Sequence, residues 1–167
     1  MRYADTLLPE FDTEMKTTRT MLEQVPYGSD ANKPGSKSRT MHELASHIAN
    51  IVRFGDLAIG VGERDFSAPG AGFPADYQSS EDLLKAFDAN VAASRAAIEK
   101  LDDATLGDTF TIRRGEQVVI ALPRSAALRV LLMNHTIHHR GQLSAYFRLN
   151  DVKHPPIYGP NAEMSGR

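Results

Sequence analysis

The stretch Leu128–Leu149, LRVLLMNHTIHHRGQLSAYFRL, decides the fold. Leu128, Leu131, Leu132, His135, His139, Gln142 and Tyr146 recur at steps of three and four, so about 3.6 residues per turn places them on one helical face. Two histidines one turn apart therefore sit in a stripe that should face a core. A buried imidazole must be paired or must bind something. The spacing His-x-x-x-His also sets two ring nitrogens side by side, as a transition-metal site requires. A complete site needs at least a third ligand from elsewhere in the chain.

Three further stretches carry helical periodicity. Thr6–Val25 places Leu7, Leu8, Phe11, Met15, Thr18, Met21, Leu22 and Val25 at helical steps and stops at Pro26 and Gly28. Ser29–Arg39 is a polar linker broken by Pro34 and Gly35. Thr40-Met41-His42-Glu43 has the form of a capping box. The helix it opens presents Leu44, His47, Ile48, Ile51, Phe54 and Ala58 on one side, with His42 opposite, facing solvent. Gly60–Tyr77, rich in Gly and Pro, reads as a long connection, a length often tied to function. Ser79–Leu101 is a third helix with Leu83, Leu84, Phe87, Val91, Ser94, Ile98 and Leu101 inward.

Thr109–Ile112 and Gln117–Ala121 read as a short β-hairpin across Arg113-Arg114-Gly115-Glu116, and Pro123 suits the first turn of the fourth helix. Four helices with one apolar face each predict an all-α four-helix bundle with a short β-hairpin before the fourth helix, in one domain over residues 1–167. The long connections leave room for a crossover topology.

Composition narrows the function. The 167 residues are 41% hydrophobic and 24% charged, which suits a globular domain. A formal net charge of −2 gives no field of one sign for nucleic acid or an anionic membrane. With no cysteine, disulfides and thiolate ligands are excluded, and His, Asp and Glu remain as metal ligands. No apolar run approaches the length of a membrane span, and Met1–Pro9 lacks a signal-peptide layout, so a cytoplasmic location is expected. Phosphate-binding glycine loops, Gly-x-Ser-x-Gly and His-Glu-x-x-His are all missing.

Of six histidines, three face the expected core: His47 lies within roughly 60° of the second helix's inward direction, and His135 and His139 within roughly 20° of the fourth's. A three-histidine site with open positions is the arrangement of a catalytic zinc-type centre. The competing reading is that each imidazole is a core residue satisfied by a carbonyl or hydroxyl. His138 is expected in an outer shell or at the surface, while Arg39, Arg113 and Arg114 read as solvated loop charges. Asn50, Gln142 and Tyr146 share the ligand-bearing faces and either orient a ligand, touch substrate or cap the polar end of a core.

Met41–Ala49, MHELASHIA, and more specifically Asn134–Leu143, NHTIHHRGQL, resemble the DinB/YfiT-like family, as does the tail His154–Pro160, HPPIYGP. The resemblance spans nearly the whole chain. It implies a four-helix bundle, a metal held by three histidines mapping onto His47, His135 and His139, and a homodimer. Relatives in the wider superfamily include transferases of low-molecular-weight thiols and a thiol-dependent isomerase. Two functions follow as expectations. One is a metal-dependent enzyme acting on a small molecule, such as a low-molecular-weight thiol, by thiol S-transfer or hydrolysis, with zinc, nickel or iron and with Gly60–Tyr77 walling the site. The other is a non-catalytic metal-binding stress-response or dimerisation module. A third, remoter alternative is that the histidines bind no metal at all.

Overall fold

The computed structural model describes residues 1–28 and 33–165; residues 29–32 of the expected linker lie outside them. The fold is predominantly helical with one small sheet. In chain order the elements are α1 (Tyr3–Leu22), α2 (Met41–Ile51), α3 (Phe54–Gly60), β1 (Glu63–Asp65), α4 (Ser80–Glu99), a 3-10 turn (Asp103–Thr105), β2 (Thr109–Arg114), β3 (Gln117–Pro123), α5 (Arg124–Ala127), a π-helical segment (Leu128–Asn134) and α6 (His135–Leu149). Helices α1 and α2 each pack against both α4 and α6. One cluster of buried side chains runs through all four, including Phe11, Met15, Leu44, Ile48, Phe87, Leu132 and Phe147. Among the described residues no helix is long and apolar enough to cross a membrane.

Helix starts follow their local chemistry. Thr40 accepts from the Glu43 amide and Glu43 accepts from the Thr40 amide, which closes the expected capping box of α2. Ser79 caps α4 by accepting from the Asp82 amide. Helix α1 begins three residues earlier than its apolar stripe suggests, where Asp5 takes the Arg2 amide and side chain, and it continues through Pro9.

The expected second helix is divided. Its apolar stripe runs on to Ala58, but the helix breaks at Val52–Arg53 and resumes as α3. The cause is a close approach to α4. A Cβ on Gly55 would lie 2.5 Å from the Ser94 Cβ, so only glycine lets the two backbones meet there. Ser94 is wholly buried; its hydroxyl donates to the Val52 carbonyl at 2.6 Å and accepts from the Asp56 amide at 3.1 Å. It thus satisfies backbone groups that the break releases.

The sheet is mixed and has three strands in the order β1-β2-β3. Strands β2 and β3 pair antiparallel, with an irregularity between Ile112 and Arg113, whereas β1 pairs parallel to β2. Two expectations are corrected by this. Arg113 and Arg114 belong to β2 rather than to a loop, and Arg113 meets Glu63 of β1 at 3.1 Å. The segment 60–77 is no plain connection, because it carries β1. Gly115, at φ +58°, makes the tight turn, and its amide donates to Asp65 and Ser67.

The last helix holds the largest departure. Upstream of His135, Leu128, Leu131 and Leu132 are buried as the spacing requires. Downstream the buried positions are Thr136, Arg140, Leu143 and Phe147. The inward stripe has moved by one residue. A π turn holds more residues than an α turn, so the segment Leu128–Asn134 advances the phase of everything after it. His135, His139 and Tyr146 are consequently half-buried at the rim of the core, and Gln142 is exposed.

Candidate metal centre

Packing of α2 against α6 brings the three histidines together. Leu44, Ile48 and Ile51 anchor α2 in the core, which leaves His47 half-buried at its edge facing the rim of α6. Ring centroids lie 4.6 Å apart for His47 and His139, 4.7 Å for His135 and His139, and 5.3 Å for His47 and His135. One nitrogen from each ring lies within 4.8 Å of the others. The Nε2 atoms of His47 and His139 are 3.2 Å apart. Two nitrogens bound to a tetrahedral zinc at its usual bond length stand about 3.3 Å apart. The pair therefore already has the spacing of two ligands of one ion.

Orientation and protonation point the same way. His139 Nδ1 donates to Gln142 Oε1 at 2.7 Å, which turns the Nε2 lone pair toward His47. Gln142 Nε2 in turn donates to the exposed His138 ring at 3.0 Å, so the amide has one orientation that serves both rings. Held ring N–H groups of this kind set the tautomer of a metal-ligating histidine. Burial pushes the His47 imidazole down to about 3, helped by the charge of Arg39 and by its two neighbouring rings. Burial likewise takes His135 down to about 4 and lowers His139. All three rings are thus neutral at pH 7, the form a metal needs. Among the described residues no carboxylate joins this cluster. The donor set of three neutral imidazoles fits a divalent transition metal and leaves coordination positions free.

A family model for the DinB family matches residues 1–166. The chain belongs to the DinB family. Its structure resembles that of a DinB-like protein from Bacillus subtilis, at 20% identity and a TM-score of 0.69, over 93% of this chain and 99% of the other. A DinB-like protein from Bacillus cereus is equally similar, with 20% identity and a TM-score of 0.69, over 90% of this chain and 95% of the other. At that identity the likeness establishes a DinB-like fold. No curated protein matches the sequence.

The remaining expected site residues of this DinB chain divide into two groups. Gln142 touches His139 directly, and Tyr146 lines the adjoining pocket while its hydroxyl donates to the Arg39 carbonyl at 2.9 Å. Asn50 is buried and committed elsewhere: its amide donates to the Pro74 carbonyl at 2.7 Å and accepts from the Tyr77 hydroxyl at 3.0 Å. It secures the segment after β1 to α2. The pocket of about 440 Å³ beside His139 is walled by Pro34, Ser38 and Arg39 of the linker and by α6, not by residues 60–77. His42 does not face solvent either; it stacks on Tyr27 with centroids 4.6 Å apart, and its Nε2 contacts the Pro26 carbonyl at 2.7 Å.

Sequence periodicity missed a buried ion pair behind the histidines. Arg140 is 1% exposed and meets Glu14 of α1 at 2.6 Å. Its guanidinium also donates to the Glu14 carbonyl and to the Thr18 and Tyr158 hydroxyls. The available signal was Glu14 between Phe11 and Met15 on the apolar face of α1, a carboxylate that a core must pair.

Proposed function

We propose that this DinB protein is a single-domain four-helix bundle whose His47, His135 and His139 hold one divalent metal ion, and that it acts on a small molecule by thiol S-transfer or hydrolysis. The observation that carries this reading is the convergence of three neutral imidazole nitrogens from α2 and α6 within 4.8 Å. Zinc, nickel and iron all suit such nitrogen ligands. When bound, the metal lowers the pKa of a water or thiol held in an open position, making a nucleophile available near pH 7.

The chain's own groups supply the rest. Gln142 fixes the ring of His139. A pocket of small-molecule size opens beside His139. The Arg140–Glu14 pair ties α6 to α1 directly behind the ligand-bearing face. A homodimer completes the reading and rests on family resemblance. Among the described residues the cluster has three ligands and no fourth, which favours catalysis over the non-catalytic metal-binding module, because a structural site is closed by a fourth protein ligand.

Metal analysis of the purified protein tests the site. Near-stoichiometric metal is expected in the wild type and loss of it in both His47→Ala and His139→Ala; full retention in either variant removes that residue from the site. A thiol panel assayed with an electrophilic acceptor, with metal present and chelated, tests the reaction. Metal binding without metal-dependent turnover would favour the non-catalytic module.

A further inference from the structure

We propose that the pocket beside the histidines selects small molecules with an apolar body and an anionic group, and that Arg39 is the residue that recognises the anion. This deepens the preceding reading and rests on it for the second positive centre and for which end of the molecule reacts. At about 440 Å³ the pocket is of small-molecule size. Its walls are largely apolar, from Pro34, Leu44, Ala145, Tyr146 and Leu149. Leu149 is 66% exposed on the last turn of α6, where an apolar ligand body would cover it.

Charge settles the polarity of the ligand. Among the described residues, Arg39 is the only lysine or arginine in the wall and no Asp or Glu lines it. The Tyr146 hydroxyl pins the Arg39 backbone to α6 at the pocket wall, and the Arg39 residue is exposed there. The Glu43 carboxylate nearby is taken by the Thr40 amide at 2.6 Å and faces Lys33 at 4.0 Å. A cation held by His47, His135 and His139 would add a second positive centre beside this pocket, which His139 lines. An anionic group between them relieves that repulsion, and the guanidinium gives it paired donors.

The test compares 4-phenylbutanoate with the neutral 4-phenylbutanamide, titrated by NMR into the chelator-treated and the zinc-loaded protein. The acid is expected to bind about tenfold tighter than the amide, equivalent to about 1.4 kcal/mol. Arg39→Gln should remove that preference and leave amide binding unchanged, Arg39→Lys should keep part of it, and Leu149→Ser should weaken both ligands alike. Equal binding of acid and amide, no saturable binding, or an undiminished acid preference in Arg39→Gln overturns the proposal. The two readings fail separately. Arg39-dependent acid preference in a protein that takes up no zinc supports the pocket and sinks the metal site; stoichiometric zinc without acid preference does the reverse.

Discussion

Replacing Arg140 by methionine examines the tie between α6 and α1. Arg140 is 1% exposed, and its side chain and that of Glu14 are 1% and 10% accessible across a 2.6 Å contact. Methionine fills much of the arginine stem's volume, so the main loss is the cation. It leaves the Glu14 carboxylate buried with the exposed Tyr158 ring's hydroxyl as its remaining side-chain donor. Breaking a buried pair by removing one partner costs about 3–5 kcal/mol, because an uncompensated charge remains. For a chain of this size that amounts to a fall in Tm of about 6–20 °C. Removing both charges avoids the stranded carboxylate, so Glu14→Gln combined with Arg140→Met should be more stable than Arg140→Met alone. Urea unfolding in the presence of a chelator measures the wild type, Glu14→Gln alone, Arg140→Met alone and the double variant without the added stability of a bound metal. A loss below about 1 kcal/mol in Arg140→Met, or a double variant as unstable as the two single losses added together, would refute the argument.

Three other outcomes follow from particular contacts. Gly55→Ala places a methyl group 2.5 Å from the Ser94 Cβ and should destabilise by about 1–3 kcal/mol, partly restored by Ser94→Gly; unchanged thermal unfolding would show that α3 moves away freely. Gln142→Leu leaves His139 Nδ1 without its acceptor and should weaken zinc affinity about 10–100-fold in a competition titration, with the fold intact by circular dichroism. Without metal, stability should fall as pH drops below 6.5. The unfolded chain takes up protons there, whereas folded His47 and His135 stay neutral down to about 3 and about 4. The ceiling is about 1.4 kcal/mol per pH unit for each ring, and the half-exposed rings will show less. His47→Gln/His135→Gln should flatten the dependence between pH 6.5 and 4, and an unchanged slope would disprove its origin in these groups.

Much of the architecture was legible because apolar spacing and caps are local. Thr40 and Ser79 mark the starts of α2 and α4, and the stripes of α1 and α4 emerge where their periodicity places them. The break before Phe54 was not legible, since it depends on Ser94 standing opposite Gly55 across forty residues of chain. Nor was β1, whose partner β2 is nearly fifty residues away in the chain.

The amino-acid sequence by itself determined that three imidazoles lie at helical spacing on two apolar helices, with no cysteine to compete as ligand. Residue type and 3.6-residue periodicity suffice for that. Only the tertiary structure decided which face of the last helix enters the core. The π-helical segment Leu128–Asn134 turns that face by one residue, seating Arg140 against Glu14 inside and moving His135 and His139 out to the rim beside the pocket. The physical reason is that this extra residue per turn is a backbone hydrogen-bonding choice settled by packing against α1, α2 and α3, and no local side-chain pattern in LRVLLMN specifies it.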